Sequence, residues 1–528
     1  YWDLLPFGWD DMYTTTHLDL RSSRGIAVGQ SLTWFDRANK TWEGKAQVYY
    51  AQDSEPYTSA EKEFLEREAG INIDEERYRL RLSHVQTLGP SDSLFVELNH
   101  LSDREVVKDF FDDEFRLMPE PENRISYIYT DSIIQAGAEV QANFNEEDFG
   151  GGTRLPELRL QVSPVRVGES DWFYESFSAA GFYEETYSDF EKETRGRENY
   201  ESTRIHTQHF LTMPKKYMGW LNITPRAGYY GTFYGDTPGT EFFTTNIVNT
   251  VSTNGVITAA SSNVTSFVED GGAQLRNLLE LGFETSFKAF KTLHDGPVGS
   301  NGSGMRHVVE PSLRYTLIPD ADPTPEEVYQ FDRYDKLEGR NDVRLGLRNK
   351  WQTRVRKNTD DGEFWVVRDL VDVELFTTYR LDPEADEDDF EPFGLDAELR
   401  LTQSTRIDMR AFYDSELGEV SKVNTEIRYR PEGDSYLALE HAYVVDRRSV
   451  LQADWGLDLS RRYGLEGYSR YEIEDGEMEE QMVMLTKKTD CVGYGVGLRW
   501  IAGDIISGSD VQDDDSWRVW FQVWLLAF

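Results

Sequence analysis

Apolar and polar residues alternate with period two along most of the chain, the pattern of strands with one greasy and one wet face. Trp42, Gly44, Ala46, Val48 and Tyr50 alternate with Glu43, Lys45, Gln47 and Tyr49. Ile134, Ala136, Ala138, Val140 and Ala142 alternate with Gln135, Gly137, Glu139 and Gln141. The same pattern recurs at 279–288, 395–401, 451–459 and 492–500. Roughly 22 to 26 such segments are legible, far more than one sandwich uses. The last stretch, Trp517 to Phe528, is too short for a membrane helix but long enough for one membrane-spanning strand. Its odd positions Trp517, Val519, Phe521, Val523, Leu525 and Ala527 are apolar, whereas the even ones include Arg518 and Gln522. A terminal strand so apolar needs a partner for its edge. The first strand, near Trp2 to Gly8, is the natural one, and that pairing closes a barrel.

Alternation alone does not separate a sandwich, with polar faces outward, from a membrane barrel, with apolar faces outward. The strand number favours the barrel. The expected fold is all-β: one large transmembrane antiparallel β-barrel of about 26 strands over residues 1–528, without a linker or second domain. Connections alternate between tight turns, such as 430–434, and long acidic loops at 53–76, 183–200, 320–341 and 381–392. Residues 235–272 form a long stretch rich in Thr, Asn, Ser and Gly. Two segments, 59–68 and 103–114, read as short helices decorating loops. No window of 18 apolar residues suggests a membrane helix.

Charge then narrows the partners. The chain carries 55 basic and 96 acidic residues, a net of −41, which argues against nucleic acid. Aromatic residues make up 13%, including 13 Trp and 28 Tyr, a load that interfacial girdles require. Cys491 is the single cysteine, so no disulfide forms within these residues. The chain begins at Tyr1 without a signal peptide, as a mature or partial chain does. His206 and His209 fall on opposite faces of a strand and make a poor metal pair. The acidic runs 384–389 and 510–515 could hold divalent cations, but solvated loops are the preferred reading. Gly150, Gly151 and Gly152 lack the strand-to-helix setting of a phosphate cradle, and no catalytic constellation emerges.

Certain landmarks occur in order. Tyr1-Trp2-Asp3-Leu4-Leu5-Pro6 is followed by Trp9-Asp10-Asp11-Met12 and by Arg24-Gly25-Ile26. Ser102-Asp103 precedes Lys108-Asp109-Phe110. His307-Val308-Val309-Glu310-Pro311 leads to Ile318-Pro319, Phe331-Asp332, Asp335, Leu337 and Asn341, and Asp490-Cys491 precedes a glycine-rich strand. Together they resemble the barrel of the lipopolysaccharide-assembly family LptD, also called organic solvent tolerance protein. Two departures stand out: one late cysteine rather than an adjacent pair, and no N-terminal periplasmic β-jellyroll within these residues. Any bridge from Cys491 must reach a partner outside them.

The resemblance implies a Gram-negative outer-membrane translocon that inserts lipopolysaccharide into the outer leaflet, with no covalent chemistry and no cofactor. Its lateral gate would lie between Trp2, Leu4, Pro6 and Gly8 of the first strand and Val519, Trp520, Gln522, Trp524 and Leu526 of the last. The implied partners are an LptE-like lipoprotein plugging the lumen, an LptA-like periplasmic bridge through the jellyroll, and the barrel-assembly machinery. The physics agrees. A lipid with a large sugar head crosses hydrocarbon only if that head stays wet, and Pro6 either withholds one ladder bond at the seam or merely marks a strand start. Pro311 suggests a bent or broken strand. Arg77, Arg79 and Arg81 share lumen parity and read as wall charges paired to neighbouring acids, or else as contacts to sugar and phosphate. The rival readings are another transport barrel, a porin or receptor, and a secreted carbohydrate-active β-protein.

Overall fold

In the computed structural model the alternating stretches become strands, and each pairs with its neighbour in sequence. The structure describes all residues except 1–10, 22–24, 55, 57–72, 112–113, 115–121, 145–149, 189–190, 193–195, 252–256, 270, 294–303, 360–361, 384–387, 432, 434, 490–491, 503–515 and 526–528. The first strands are β1 (Met12–Arg21), β2 (Gly25–Phe35), β3 (Trp42–Asp53), β4 (Glu76–Thr87), β5 (Asp92–Leu101), β6 (Arg124–Thr130), β7 (Ile134–Gln141), β8 (Gly151–Arg166) and β9 (Phe173–Thr186). Then come β10 (Tyr200–Thr212), β11 (Lys215–Tyr217), β12 (Leu221–Tyr234), β13 (Thr240–Val251), β14 (Ile257–Glu269), β15 (Gln274–Phe287), β16 (Ala289–Leu293), β17 (Met305–Ile318), β18 (Arg340–Thr359) and β19 (Gly362–Arg380). The last are β20 (Phe393–Leu399), β21 (Thr405–Asp414), β22 (Glu419–Tyr429), β23 (Tyr436–Val444), β24 (Arg448–Ser460), β25 (Tyr463–Glu472), β26 (Glu477–Lys488), β27 (Val492–Ile501) and β28 (Ser516–Leu525). A short helix, α1 (Val106–Phe110), sits between β5 and β6.

All but β13 and β14 join one 26-stranded antiparallel sheet. Within it β11 continues β10 along β12, and β16 continues β15 along β17. The chain runs round in sequence order, and β28 returns to lie within 8 Å of β1, Cα to Cα. A sheet that curls onto itself pairs the backbone N–H and C=O groups of its interior strands, as a membrane demands, and leaves one place, between β1 and β28, to account for.

Exposure settles which face is which. Val48, Leu279, Leu281 and Val496 on the apolar faces are 57%, 62%, 58% and 46% exposed. Gln47, Arg77, Arg204 and Arg276 on the polar faces are 3% exposed or less. A soluble sandwich has the reverse arrangement. The apolar faces form an outer belt for hydrocarbon, and the lumen is polar. The described apolar clusters are small and lie between wall and tucked loop: Ala27, Tyr49 and Ala51 against Phe110 and Phe111, and Leu278, Ile318 and Ala321 against Leu337.

The two rims differ, as the turn spacing predicts. At one rim the connections include 54–75, 102–123, 235–273 and 319–339; at the other they include 36–41, 88–91, 131–133, 218–220 and 461–462. Long loops mark the outside of an outer-membrane barrel and short turns its periplasmic side. The structure corrects three expectations. The polar stretch 235–272 holds a hairpin, β13 with β14, in a sheet of its own. Of the helix expected over 103–114, the described residues show α1 and a helical Glu114, with Phe111 outside the helix between them, while the one at 59–68 falls outside the described residues. Strand β17 is continuous through Pro311, and the ladder gap falls on the neighbouring strand, between Ser286, paired to Ser312, and Ala289, paired to Val309. Proline has no N–H to donate, so the interruption lands across from it rather than within its own strand.

Candidate functional site in the lumen and at the seam

The seam joins β1 to β28. Every other pair of neighbouring staves has an antiparallel ladder, some with a register shift, but among the described residues β1 and β28 have none. The outward face of β28 is apolar, with Trp517, Val519, Phe521 and Val523 all at least half exposed. The outward face of β1 and β2 is not uniformly so. Leu18 and Val28 pair side by side, and the next outward pair is Thr16 with Gln30. Thr14, Thr16 and Gln30 are exposed, and the Thr16 hydroxyl donates to Gln30 Oε1 at 2.8 Å. A polar strip therefore faces lipid beside this edge, one of its hydrogen bonds made within the strip itself.

On the lumen side, the end of β1 is held by a loop tucked in from the long-loop rim. Tyr49 of β3 donates its hydroxyl to Asp19 at 2.5 Å. Arg21 donates to the backbone carbonyl of Asp109 at 2.5 Å and covers the Phe110 ring at 4.3 Å. The loop is anchored at Arg77 of β4, which is fully buried and forks onto Asp103 at 2.7 and 3.0 Å. Its Nη1 also donates to Asp53 at 3.0 Å and to Asp109 at 2.5 Å. Asp103 accepts the Glu105 N–H at 2.9 Å, and the chain turns there into α1, whose Val106 and Val107 are buried. Arg79 and Arg81 both reach Glu114, and Arg81 also reaches Glu97. These arginines are paired wall charges.

A second loop, 319–339, is clamped the same way. Arg204 of β10, also fully buried, donates to Asp335 at 2.5 Å and to Asp332 at 2.6 Å. Tyr234 donates to Asp335 at 2.9 Å, and Arg276 donates to the carbonyls of Tyr334 and Asp335 at 2.5 and 2.8 Å. Asp335 in turn accepts the Phe331 and Asp332 N–H groups at 2.9 and 3.0 Å, so the loop folds around the carboxylate that fixes it. Tyr334 stacks on His206 at 4.3 Å, and Tyr329 stacks on Tyr200 at 4.5 Å. Burial pushes the Asp332 carboxyl up, but the Arg204 hydrogen bond and charge outweigh it and hold the carboxyl below its ordinary range. Both clamps lie at the long-loop end of the lumen, so the barrel's own loops cover part of its outer mouth.

Thus Asp103, Asp109, Asp332 and Asp335 all fasten lumen loops. Gly25 opens β2 at φ +93°, where a Cβ would meet Gln52 O at 2.5 Å, so only glycine fits that turn. Asp11 is half-buried just before β1. His307, Glu310 and Pro311 do not form one site. His307 stacks on Trp351 at 4.4 Å on the outward face near the short-turn rim, whereas Glu310, on the opposite face, pairs with Lys288 at 3.4 Å. Trp520, Gln522 and Trp524 lie in β28, in register with Gly497, Gly495 and Gly493. Trp2, Leu4, Pro6, Gly8, Arg24, Cys491 and Leu526 lie outside the described residues. His206 and His209 do fall on opposite faces, the first bonded to Thr232 and the second to Tyr174 and Thr207. Among the described residues no group of three or more His, Cys, Asp or Glu could hold a metal. Residues 384–387 and 510–515 of the acidic runs fall outside them.

Sequence reasoning missed Arg204. Its cross-strand neighbours are Gly181 and Tyr234, neither of them acidic. The one available signal was a lumen-parity arginine without a local partner.

Solved structures similar to the chain are outer-membrane receptor barrels. They include the siderophore receptor PirA from Acinetobacter baumannii, at 7% identity, covering 98% of this chain and 79% of that one, with a TM-score of 0.37. The ferric preacinetobactin receptor BauA from the same organism gives 9%, 98%, 79% and 0.34. A ferric enterobactin receptor from Pseudomonas aeruginosa, PfeA, gives 8%, 98%, 80% and 0.33. No curated protein matches. The family model for LptD, LPS transport system D, matches residues 47–449. That span holds both clamps, most of the wall and the His307 strand, and the chain therefore belongs to the LptD family of LPS transport, as a barrel of the Gram-negative outer membrane.

Proposed function

We propose that lipopolysaccharide leaves this barrel sideways, between β1 and β28, with its acyl chains passing into the outer leaflet while its sugars cross the lumen. The observation that carries the reading is the seam: β1 and β28 lie side by side without a ladder among the described residues. Opening a seam is cheap only where few backbone bonds must break. Two further features support it. The polar strip Thr14, Thr16 and Gln30 offers a head group partners beside the opening. The clamped loops partly cover the axial route through the outer mouth. The gate would comprise Trp2, Leu4, Pro6 and Gly8 against Val519, Trp520, Gln522, Trp524 and Leu526. We take residues 1–528 as one barrel domain that performs no covalent chemistry. An LptE-like lipoprotein would occupy lumen that the loops leave open, an LptA-like bridge would deliver lipid from the periplasm, and the barrel-assembly machinery would insert the chain.

A photo-crosslinking side chain tests the route. Placed at Val519 on the seam it should capture lipopolysaccharide in exporting cells; placed at Leu281, on the outward face of β15, it should not. Equal capture at both positions, or none at Val519, rules out lateral exit here.

A further inference from the structure

At the short-turn rim, below the turns 400–404 and 430–435, a basin of about 980 Å³ opens. Six arginines line it: Arg356, Arg368, Arg400, Arg406, Arg428 and Arg430. Asp454 is the one carboxylate among its described lining residues. That balance inverts the chain's own, in which acids outnumber bases by 96 to 55.

The register makes the inversion more pointed. Arg406 of β21 sits directly opposite Arg428 of β22. Like charges in directly opposed positions destabilise a sheet unless something bridges them. Each turns one edge to carboxylates: Arg406 Nε and Nη2 to Asp408 at 3.0 Å, with Glu398 of β20, which also holds Arg400, at 3.5 Å from its Nε, and Arg428 Nη2 to Glu426 at 2.7 Å. A guanidinium has five N–H donors, so the Nη1 side of each remains for another acceptor. Two more cations have no carboxylate partner among the described residues. Arg368 donates to the carbonyl of Arg400 at 3.1 Å and to that of Thr402, which fixes the turn. Arg430 makes no ion pair among the described residues, since only its backbone is engaged, to Ser404.

We propose that this basin binds the phosphate esters of a lipid head group. Convergent guanidinium forks match a phosphate's tetrahedral oxygens, and Arg–phosphate pairs are among the strong charge-assisted hydrogen bonds. The site lies at the short-turn, periplasmic rim. The identity of the lipid rests on the transport reading; the phosphate chemistry does not. Two sources fit: the phosphorylated sugar head of lipopolysaccharide, and inner-leaflet phospholipid.

The test uses the whole chain in detergent and titrates it with micelles of a bisphosphorylated glucosamine-disaccharide lipid, micelles of phosphatidylglycerol, and micelles of an uncharged glycolipid. The triple variant R406Q/R428Q/R430Q is expected to weaken the phosphorylated probes by about ten-fold or more. The single variant R430Q, at a side chain with no ion pair among the described residues, weakens them measurably, and a triple Arg→Lys variant retains most of the binding. Loss confined to the disaccharide lipid assigns the site to the transported molecule; equal loss for both phosphorylated probes assigns it to phosphate in general. Unchanged affinity in R430Q and in a folded triple variant, or equal binding of the uncharged glycolipid, overturns the proposal. Seam crosslinking reads a different wall, so either result there leaves this one interpretable.

Discussion

At the scale of residues, two buried arginines do the organising. Arg77 gathers Asp53, Asp103 and Asp109, and Arg204 gathers Asp332 and Asp335. Removing one partner of a buried ion pair costs about 3–5 kcal/mol, because the other charge is left stranded in a poor solvent. Arg204→Met should therefore release the 319–339 loop rather than unfold the barrel, whose ladder does not run through Arg204's side chain. Limited proteolysis should find a new cut in that loop, with the heat-modifiable mobility of the barrel unchanged; wild-type resistance to protease contradicts the clamp. Asp332 adds a pH dependence. Its carboxyl is depressed in the folded protein, so its contribution to docking is fully present above the ordinary carboxylate range of about 4 and is lost as pH falls through the depressed value. Loop protection, followed by hydrogen exchange, should be flat from neutral pH down to about 4 and fall only below it. Loss already between pH 7 and about 5 contradicts the assignment. Legibility divides along the same line. Arg77 was readable as a paired wall charge, since acids crowd its neighbourhood in sequence. Arg204 was not, because its carboxylates come from 128 and 131 residues away. A strand's period tells which face a side chain takes, not which distant loop descends onto it.

At the scale of elements, the strands themselves were the most legible part, because period two is enforced by lipid on one side and water on the other. The interruptions were less so. Pro311 marked the right place but the wrong strand: its missing N–H is accommodated by the break between β15 and β16. The ribbon β13–β14 was hidden because its stretch is rich in Thr, Asn and Ser and lacks the apolar alternation that marked the wall strands. The polar strip on β1 and β2 is an element-level departure from the alternating pattern, and departures of this kind concentrate at functional places. Replacing Thr16 and Gln30 by Leu should leave the barrel folded, since the lipid face becomes more apolar. It should also slow lipopolysaccharide arrival at the surface roughly five-fold, if the lost polar contacts along the path raise the barrier by about 1 kcal/mol. Pulse-labelled lipopolysaccharide at the cell surface reads that rate. An unchanged rate in a folded T16L/Q30L barrel removes the strip from the route.

At the scale of the whole molecule, the barrel is asymmetric in three ways. Its outer mouth is narrowed by its own clamped loops, its periplasmic mouth carries an arginine basin, and its wall lacks a described ladder in one place. A net charge of −41 keeps the lumen and loops strongly hydrated, as a polar head group in transit requires. No helix among the described residues is long and apolar enough to cross a membrane. The central claim is that the seam opens for lipid. It is tested most directly by locking the seam. With Cys491 replaced by Ser, single cysteines scanned over Tyr13 to Leu18 are combined with single cysteines over Val519 to Val523. The account predicts that at least one pair bridges in cells, that surface lipopolysaccharide falls while the bridge holds, and that reductant restores it. A bridged seam with undiminished lipopolysaccharide at the surface contradicts lateral exit.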